Sequence, residues 1–204
     1  MMYLVGGGGS LRDRSAQFGT MLSPRTRGLR PLREGRRWAA DNDAFHGRFE
    51  AAQFTAHLTR LTPFQSTCLF VVSPDVVCDP AATATLFQEW GPRIRDLGYP
   101  VAWVAQNSAR PDDIPDCDCV FIGGDTAWKL SSDAFDICVA AKQRGLWLHI
   151  GRVNSERRTL LAARMGADSV DGTYTAYTGH DAGLSTIGGW LTAAQQARAQ
   201  RRLL

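Results

Sequence analysis

Short apolar runs alternate with amphipathic segments along this chain of 204 residues. Each run is nearly continuous in apolar residues, as is typical of strands that are buried on both faces within a parallel sheet. Seven runs predict strands, at residues 2–7, 38–42, 68–75, 101–107, 119–125, 146–152 and 167–173.

Capping signals delimit the helices between these runs. Asp79 followed by Pro80 predicts a helix start, because a short acidic side chain caps the first N–H groups and proline fits the first turn. That helix is expected to end at Gly98. The other signals are a serine cap with a stop at Gly145, Asn154 or Ser155 with a stop at Gly166, and helical periodicity at about 49–60 and about 188–204.

The alternation predicts an α/β fold with a parallel sheet, either an open doubly wound sheet or a barrel. Six runs end in polar residues or glycines: Asp41, Asp75, Gln106, Gly123–Gly124, Gly151 and Asp171. A barrel gathers all strand ends around one pocket, whereas an open sheet gathers only those near a switch point. We therefore expect a small (β/α) TIM-type barrel of seven or eight parallel strands, forming a single catalytic domain over residues 1–204. Such barrels usually have about 250 residues, and the pattern shows only seven strands.

Positive charge is concentrated in one segment. Eight arginines between Arg12 and Arg37 give this segment a net charge of +6, in a chain whose total is +3. A basic segment joined to an acidic body is typical of a protein that binds a polyanion. Arg12, Arg14, Arg25 and Arg27 are therefore predicted to contact nucleic acid, and a solvated loop is the alternative.

Cysteine usage and the apolar pattern bound the remaining classes. The five cysteines show no paired spacing, which is typical of a reduced protein without disulfides. Cys117 and Cys119 have no second pair or nearby histidine, so no metal site is expected, with zinc at this pair as the alternative. The N-terminal stretch is too short and glycine-rich for a signal peptide, and no run reaches transmembrane length. We expect a cytoplasmic protein that binds no membrane.

The strand-end residues suit glycosyl transfer. Two facing carboxylates, Asp171 and Asp41, would let one attack an anomeric carbon while the other protonates the leaving group. Asp75 would accept both donors of a guanine Watson–Crick edge, and Gln106 has a donor and an acceptor for the opposite edge. The glycines Gly123 and Gly124 would let the backbone approach a flat ring. Singly, each residue is also explained as a cap, a turn or a polar loop.

In order along the chain, these segments resemble the tRNA-guanine transglycosylases, and more closely their small DNA-modifying relatives from phages and DNA-modification gene clusters. The similarity covers about residues 38–173, two-thirds of the chain. It implies a general acid/base at Asp41 in "WAADNDAF", with Phe45 matched, and base recognition at Asp75 in "SPDVVCD".

The later motifs extend the resemblance. "VAQN" gives Gln106, and "FIGGD" gives the base-packing pair Gly123 and Gly124. "HIGRVNSERRTLLAARMGADSVDGT" is similar to the run whose last aspartate is the nucleophile, which implies that role for Asp171. The implied activity is exchange of guanine for a 7-deazaguanine, such as a preQ0-type base, through a covalent aspartyl-glycosyl intermediate. No cofactor is implied.

Two departures from the family bear on the substrate. Asp43 and Ala44 stand where the tRNA enzymes have glycines, and no cysteine follows Cys138 to form their zinc site. DNA is therefore the expected substrate, with the arginine-rich segment on its phosphates. A tRNA-guanine transglycosylase and a non-catalytic nucleic-acid-binding protein on a degenerate barrel are the alternatives. A homodimer or a helper subunit would complete so small a barrel.

Four other residues have open roles. Arg152, at a strand end, is predicted to contact a nucleic-acid phosphate, with an ion pair as the alternative. His149 lies within a strand run and is expected to be a core histidine. Trp128 would either stack on a base or pack. Asp168 is expected to pair with an arginine such as Arg164, as a structural or orienting neighbour of Asp171.

Overall fold

The computed structural model describes residues 1–47 and 49–201, and it forms a closed barrel of eight parallel strands in chain order. The barrel closes where the eighth strand pairs with the first, with Tyr3 opposite Val170. This confirms the predicted small TIM-type α/β barrel. The strands are β1 Met2–Gly6, β2 Phe18–Leu22, β3 Trp38–Ala40, β4 Cys68–Val72, β5 Val101–Ala105, β6 Cys119–Ile122, β7 Trp147–Ile150 and β8 Ser169–Gly172.

The strand that the apolar pattern missed is β2, which lies inside the arginine-rich segment. All five of its residues are buried, including Thr20, whose hydroxyl donates to the carbonyl oxygens of Val5 and Gly7. A Cβ at Gly19 would lie 2.6 Å from the carbonyl oxygen of Arg37, so the close approach of the backbone just before β3 requires glycine there. The basic segment is thus partly a barrel strand.

Eight α-helices are described around the barrel. The cap at Asp79 is confirmed, since its side chain accepts from the N–H of Ala82 at 2.9 Å. Ser131 caps the next predicted helix, and Ser155, the second of the two candidates, caps the one after it. The helices are α1 Arg30–Arg33, α2 Ala51–Leu61, α3 Pro80–Asp96, α4 Thr126–Lys129, α5 Ser132–Gln143, α6 Glu156–Arg164, α7 Tyr174–Thr178 and α8 His180–Arg201.

The C-terminal helix, α8, begins eight residues before the predicted start at 188. It packs against α6, and Arg198 donates to the carbonyl oxygens of Ala163 and Ala167. Residues 202–204 of the predicted helix lie outside the described residues. Short 3-10 helices at Ala44–His46, Thr62–Thr67 and Pro111–Asp113 complete the description.

Apolar side chains form two layers. One cluster, which includes Leu4, Phe70 and Val104, fills the barrel interior. A larger cluster, which includes Tyr3 and Trp38, packs between the strands and the helices. Burial of each large aliphatic or aromatic side chain stabilises the fold by roughly 1.5–3 kcal/mol.

The two cysteines considered for a metal site lie in different layers. Cys119 belongs to the interior cluster and Cys117 to the outer one. Burial raises the pKa of the Cys117 thiol to about 11, so it remains protonated near neutral pH. Among the described residues, no group of three or more histidines, cysteines or carboxylates is placed to hold a metal ion.

Over residues 1–47 and 49–201, every helix is too short or too polar to cross a lipid bilayer.

Candidate active site at the carboxyl ends of the strands

A cavity of about 590 Å³ opens at the carboxyl ends of the strands. This end of a TIM-type barrel is where side chains from many strands converge, and the volume is typical of a small-molecule site. Nine predicted site residues line it: Arg25, Asp41, Phe45, Asp75, Gln106, Gly123, Gly124, Arg152 and Asp171. Arg12, Arg14 and Arg27 do not line it.

Asp171, on β8, presents a carboxylate whose two oxygens differ. Oδ1 accepts from Nε2 of His149 at 3.0 Å and from the backbone N–H of Arg152 at 3.2 Å. Among the described residues, no hydrogen bond is made to Oδ2. The side chain is 22% exposed within the cavity wall. One oxygen is therefore fixed and the other is available to a substrate.

His149 connects Asp171 to the barrel interior. The indole N–H of Trp147 donates to Oγ of Ser169 at 2.8 Å, and the same oxygen lies 2.8 Å from Nδ1 of His149. In the neutral ring, Ser169 donates its hydroxyl proton to Nδ1, and Nε2–H donates to Asp171. The Trp147, Ser169 and His149 donors in this series of hydrogen bonds then each have an acceptor, and the orientation of the imidazole is fixed.

The role of His149 was missed in the sequence. It is fully buried, as a core histidine should be, and its ring packs between Phe70 and Phe121. Its contact with Asp171 depends on the pairing of β7 with β8, where His149 lies opposite Ser169. In the sequence, this contact is indicated only by the presence of a histidine and an aspartate on the last two strands.

Asp41 follows β3 and occupies the most negative part of the cavity. Burial raises its pKa to about 7, and the nearby charges of Asp171, Asp43 and Asp75 act in the same direction. The backbone N–H of Asn42 donates to its Oδ1 at 2.8 Å, which opposes the shift. A carboxyl group with this pKa exchanges a proton readily near neutral pH.

Two side-chain amides hold Asp75. Nδ2 of Asn42 donates to its Oδ1 at 2.8 Å, and Nε2 of Gln106 donates to its Oδ2 at 2.6 Å. Burial raises the pKa of Asp75, and these two hydrogen bonds oppose the rise. The carboxylate is thus fixed in orientation, and each oxygen retains a lone pair. Asn42, which is itself buried, was not identified from the sequence.

Both the oxygen and the nitrogen of the Gln106 side-chain amide have hydrogen-bond partners within the protein. Its Oε1 accepts from the backbone N–H groups of Cys78 at 2.9 Å and Gly124 at 3.0 Å, while its Nε2 donates to Asp75. The resemblance implied that this side chain binds the base directly. In this structure it positions Asp75 and the glycine turn.

The glycine pair has a structural reason as well as a place in the cavity. A Cβ at Gly123 would lie 2.6 Å from Cγ1 of Val104. Gly124 has a φ of +67°, which glycine adopts readily, and a Cβ there would lie 2.8 Å from Cε3 of Trp128. Trp128 is buried and is not among the residues lining the cavity. Of its two predicted roles, stacking on a base and packing, the structure shows packing.

Arg152, directly after β7, is held in an unusual conformation. Its φ is +61°, a region that costs a non-glycine residue of order 1–3 kcal/mol. Its Nη2 donates to the carbonyl oxygen of Gly124 at 2.7 Å, and its guanidinium lies 4.1 Å from the ring centroid of Phe45. Its backbone N–H binds Asp171. These three contacts together hold Arg152 in this conformation at the edge of the cavity.

The remaining basic residues have other partners or are exposed. Arg25 makes a two-pronged ion pair with Asp43, at 3.0 and 2.8 Å. Arg14 pairs with Asp181 at 2.6 Å on the surface. Arg12 and Arg27 are exposed.

Asp168 has a different partner from the one expected. Its Oδ2 binds Nζ of Lys142 at 2.7 Å and the backbone N–H of Leu148 at 2.9 Å, so the expected pair with Arg164 is not formed. It precedes β8, at the opposite end of that strand from Gly172. Asp168 therefore lies outside the cavity lining and does not touch Asp171.

No protein-family profile matches this chain, and no curated protein matches it. Among solved structures, 3-hexulose-6-phosphate synthase from Salmonella typhimurium is similar in fold, with 13% sequence identity and a TM-score of 0.53, over 95% of this chain and 100% of that one. RipC from Yersinia pestis has 10% identity and a TM-score of 0.51, over 93% of this chain and 94% of its own. At these identities the similarity shows the fold alone.

Proposed function

We propose that this protein is a base-exchange transglycosylase that replaces guanine in DNA with a 7-deazaguanine base. One observation carries the proposal: two carboxyl groups with different hydrogen-bond surroundings, Asp171 and Asp41, line the same cavity. Asp171 has one oxygen fixed by hydrogen bonds, as a nucleophile requires, and Asp41 has a pKa raised to about 7, as a general acid and base requires.

The first half-reaction follows from these two groups. Oδ2 of Asp171 attacks C1′ of the target nucleotide and forms a C–O bond, while the C1′–N9 bond breaks and its electron pair leaves with guanine. Asp41 donates its proton to the departing base. His149 and the N–H of Arg152 hold Oδ1, so that Oδ2 points its lone pair at the sugar.

The second half-reaction reverses the roles. Asp41, now ionised, removes a proton from the incoming 7-deazaguanine, whose N9 attacks C1′ as the bond to Asp171 breaks. The carboxylate of Asp171 leaves with its electron pair, and Asp41 is protonated again for the next cycle. No redox step or cofactor enters this sequence.

Asp75 is proposed to select the purine. The amide hydrogen bonds from Asn42 and Gln106 fix both of its oxygens, and the free lone pairs can accept the ring N–H and the amino group of guanine side by side. A base that lacks either donor would leave one of these lone pairs without a hydrogen bond. The incoming 7-deazaguanine has the same edge, so one site serves both half-reactions.

The two departures from the family bear on this proposal in different ways. Asp43, which replaces a family glycine, has a φ of +62°, the conformation that glycine favours. The chain has no cysteine after Cys138, and so lacks the zinc site of the tRNA enzymes. The second departure favours DNA, whose target nucleotide must leave the stack at a cost of about a few kcal/mol.

The test is guanine release from labelled nucleic acid. Purified protein is incubated with duplex DNA, single-stranded DNA or tRNA carrying labelled guanine, plus a 7-deazaguanine. We expect release from DNA by the wild type, none by Asp171→Ala, and wild-type release by Asp168→Asn, which removes the charge of the neighbouring carboxylate outside the cavity.

Three results would contradict the proposal in distinct ways. Full release by Asp171→Ala would exclude the assigned nucleophile. Release from tRNA alone would establish the tRNA version of the reaction. No release from any substrate by protein that binds DNA, with or without added partner fractions that could supply a helper subunit, would favour a non-catalytic nucleic-acid-binding protein.

A further inference from the structure

A second, smaller pocket lies beside the catalytic cavity, and we call it the α4–α6 pocket. Its volume is about 240 Å³. It is formed by α4, by the segment that follows β7, and by one face of α6. The motif at residues 149–173 supplies most of its lining, which includes Arg152, but the proposed chemistry assigns no ligand to this pocket.

Three cations line the α4–α6 pocket: Lys129, Arg152 and Arg158. Each is anchored by a neutral backbone oxygen: Nζ of Lys129 to Gly151 at 3.0 Å, Nη2 of Arg152 to Gly124 at 2.7 Å, and Nη1 of Arg158 to Arg152 at 3.3 Å. No carboxylate is among the lining residues, and within residues 1–47 and 49–201 none of the three cations forms a salt bridge.

The three charges repel one another in a partly buried place. Burial lowers the pKa of Lys129 to about 8, and the charges of Arg152 and Arg158 add to that effect. The nearby carboxylates of Asp171 and Asp125 oppose it. A bound anion would relieve this repulsion, and phosphate oxygens match the donors of two arginines and a lysine.

The floor of the α4–α6 pocket is apolar and comes mainly from Ile150, Leu161, Ala162 and Met165. Such a floor can pack against the flat face of a base or the carbon face of a sugar. The side-chain amide of Asn154 is already bonded to Thr173, through both its oxygen and its nitrogen. The pocket therefore has few polar groups left with which to read a base edge.

The pocket adjoins the catalytic cavity. Lys129, Gly151 and Arg152 line both. Whatever occupies the α4–α6 pocket is therefore adjacent to whatever occupies the cavity. In a polynucleotide, the adjacent group is the next nucleotide with its phosphate.

We propose that the α4–α6 pocket binds the nucleotide next to the target guanosine, with its phosphate on Lys129, Arg152 and Arg158 and its base against the apolar floor. This inference rests on the proposed function for the identity of the neighbouring group. Because the floor offers little base readout, the pocket contributes affinity and register, with weak preference for the flanking base.

The test is binding of a labelled single-stranded 9-mer DNA with one central guanine, measured by fluorescence anisotropy at several salt concentrations. All proteins carry Asp171→Asn, so that no exchange occurs. Arg158→Gln is compared with Arg157→Gln, which alters an exposed arginine on the same helix that does not line the pocket. We expect Arg158→Gln to weaken binding about tenfold and to lower the salt slope by about 0.7, and Arg157→Gln to change affinity less than about twofold.

Neutral methylphosphonates complete the test. With one placed on either side of the guanine in turn, one position should remove most of the difference between Arg158→Gln and the parent protein. Equal effects of Arg158→Gln and Arg157→Gln, or no binding of the 9-mer, would overturn the inference. Guanine release is measured separately on protein with Asp171 intact. Release by that protein, together with equal binding by Arg158→Gln and Arg157→Gln, would overturn this inference and leave the proposed function intact. Selective loss of binding in Arg158→Gln, together with no release by the protein with Asp171 intact, would support a nucleotide site here and contradict the proposed exchange reaction.

Discussion

The two carboxylates near β8, Asp168 and Asp171, lie three residues apart and have opposite surroundings. Asp168 is neutralised by Lys142 and by a backbone N–H. Asp171 lies among other acidic residues in the cavity, where a buried histidine and one N–H bind a single oxygen. The first arrangement stabilises the fold, while the second places a carboxylate beside other carboxylates, where electrostatic repulsion lowers stability.

The largest expected effect is that of Asp171→Asn. The amide keeps an oxygen for His149 and Arg152 but cannot form the glycosyl ester, so guanine release should fall by about 1000-fold or more. Loss of a charge beside Asp41 and Asp75 should also raise the free energy of unfolding by about 0.5–1 kcal/mol. Urea titration measures the free energy of unfolding, and single-turnover kinetics measures the rate of guanine release. An Asp171→Asn variant less stable than the wild type would contradict the statement that repulsion at Asp171 lowers stability.

Asp41→Asn removes the proposed acid/base group and leaves the proposed nucleophile, Asp171, in place. Because the folded pKa is about 7 and the unfolded value is near 4, the folded state binds the extra proton between these values. Stability of the wild type should therefore fall by about 1–3 kcal/mol as pH rises from about 4 to 7, and Asp41→Asn should lack this slope. Urea unfolding at pH 5 and pH 8 measures it.

The same pKa sets the pH dependence of the reaction. Guanine release in the first half-reaction needs protonated Asp41, so the single-turnover rate should fall about tenfold per pH unit above pH 7. In Asp41→Asn, release should be about 100-fold slower and independent of pH in this range. A wild-type rate that rises through pH 8 would contradict the assignment of Asp41.

Ser169→Ala should weaken the hydrogen bonds that orient His149, and through it Asp171, although Ser169 does not contact Asp171 itself. The change leaves the indole N–H of Trp147 and Nδ1 of His149 unpaired, which should cost about 1–3 kcal/mol of stability. Release should slow about tenfold, because the imidazole loses its fixed tautomer. Nitrogen-15 NMR of the ring should show Nε2–H in the wild type and a mixture in the variant. An unchanged tautomer and rate would make the serine merely structural.

Asp168→Asn should have the smallest effect and completes the comparison. It removes a partly exposed ion pair with Lys142, so the free energy of unfolding should fall by about 0.5–1 kcal/mol. Guanine release should stay within about twofold of the wild type. A large loss of activity with little change in stability would show that the two carboxylates are functionally coupled.

The sequence predicted the strand ends well because each is marked locally. A polar residue or glycine directly after an apolar run is a signal that depends on a few neighbours, and Asp41, Asp75 and Asp171 were all found this way. β2 was missed because Gly19 and Thr20 interrupt its apolar character and arginines flank it. Its burial comes from neighbouring strands, which local composition does not report.

The hydrogen-bond partners could not be predicted in the same way. Gln106 was expected to face a base, yet it is bonded to Asp75 and to two backbone N–H groups from separate loops. The contact of His149 with Asp171 depends on the register of β7 and β8. Such contacts are set by three-dimensional pairing, so a single sequence shows the residue types but not their partners.

The closure of the barrel has a consequence for how the protein is made. Asp171 gains its place in the wall because β8 pairs with β1, with Leu4 opposite Asp171, across almost the whole length of the chain. Contacts of such high sequence separation form late and slowly. A nascent chain on the ribosome therefore has no assembled cavity until β8 has emerged and docked, so Asp171 reaches its place in the cavity wall only when folding of the barrel is complete.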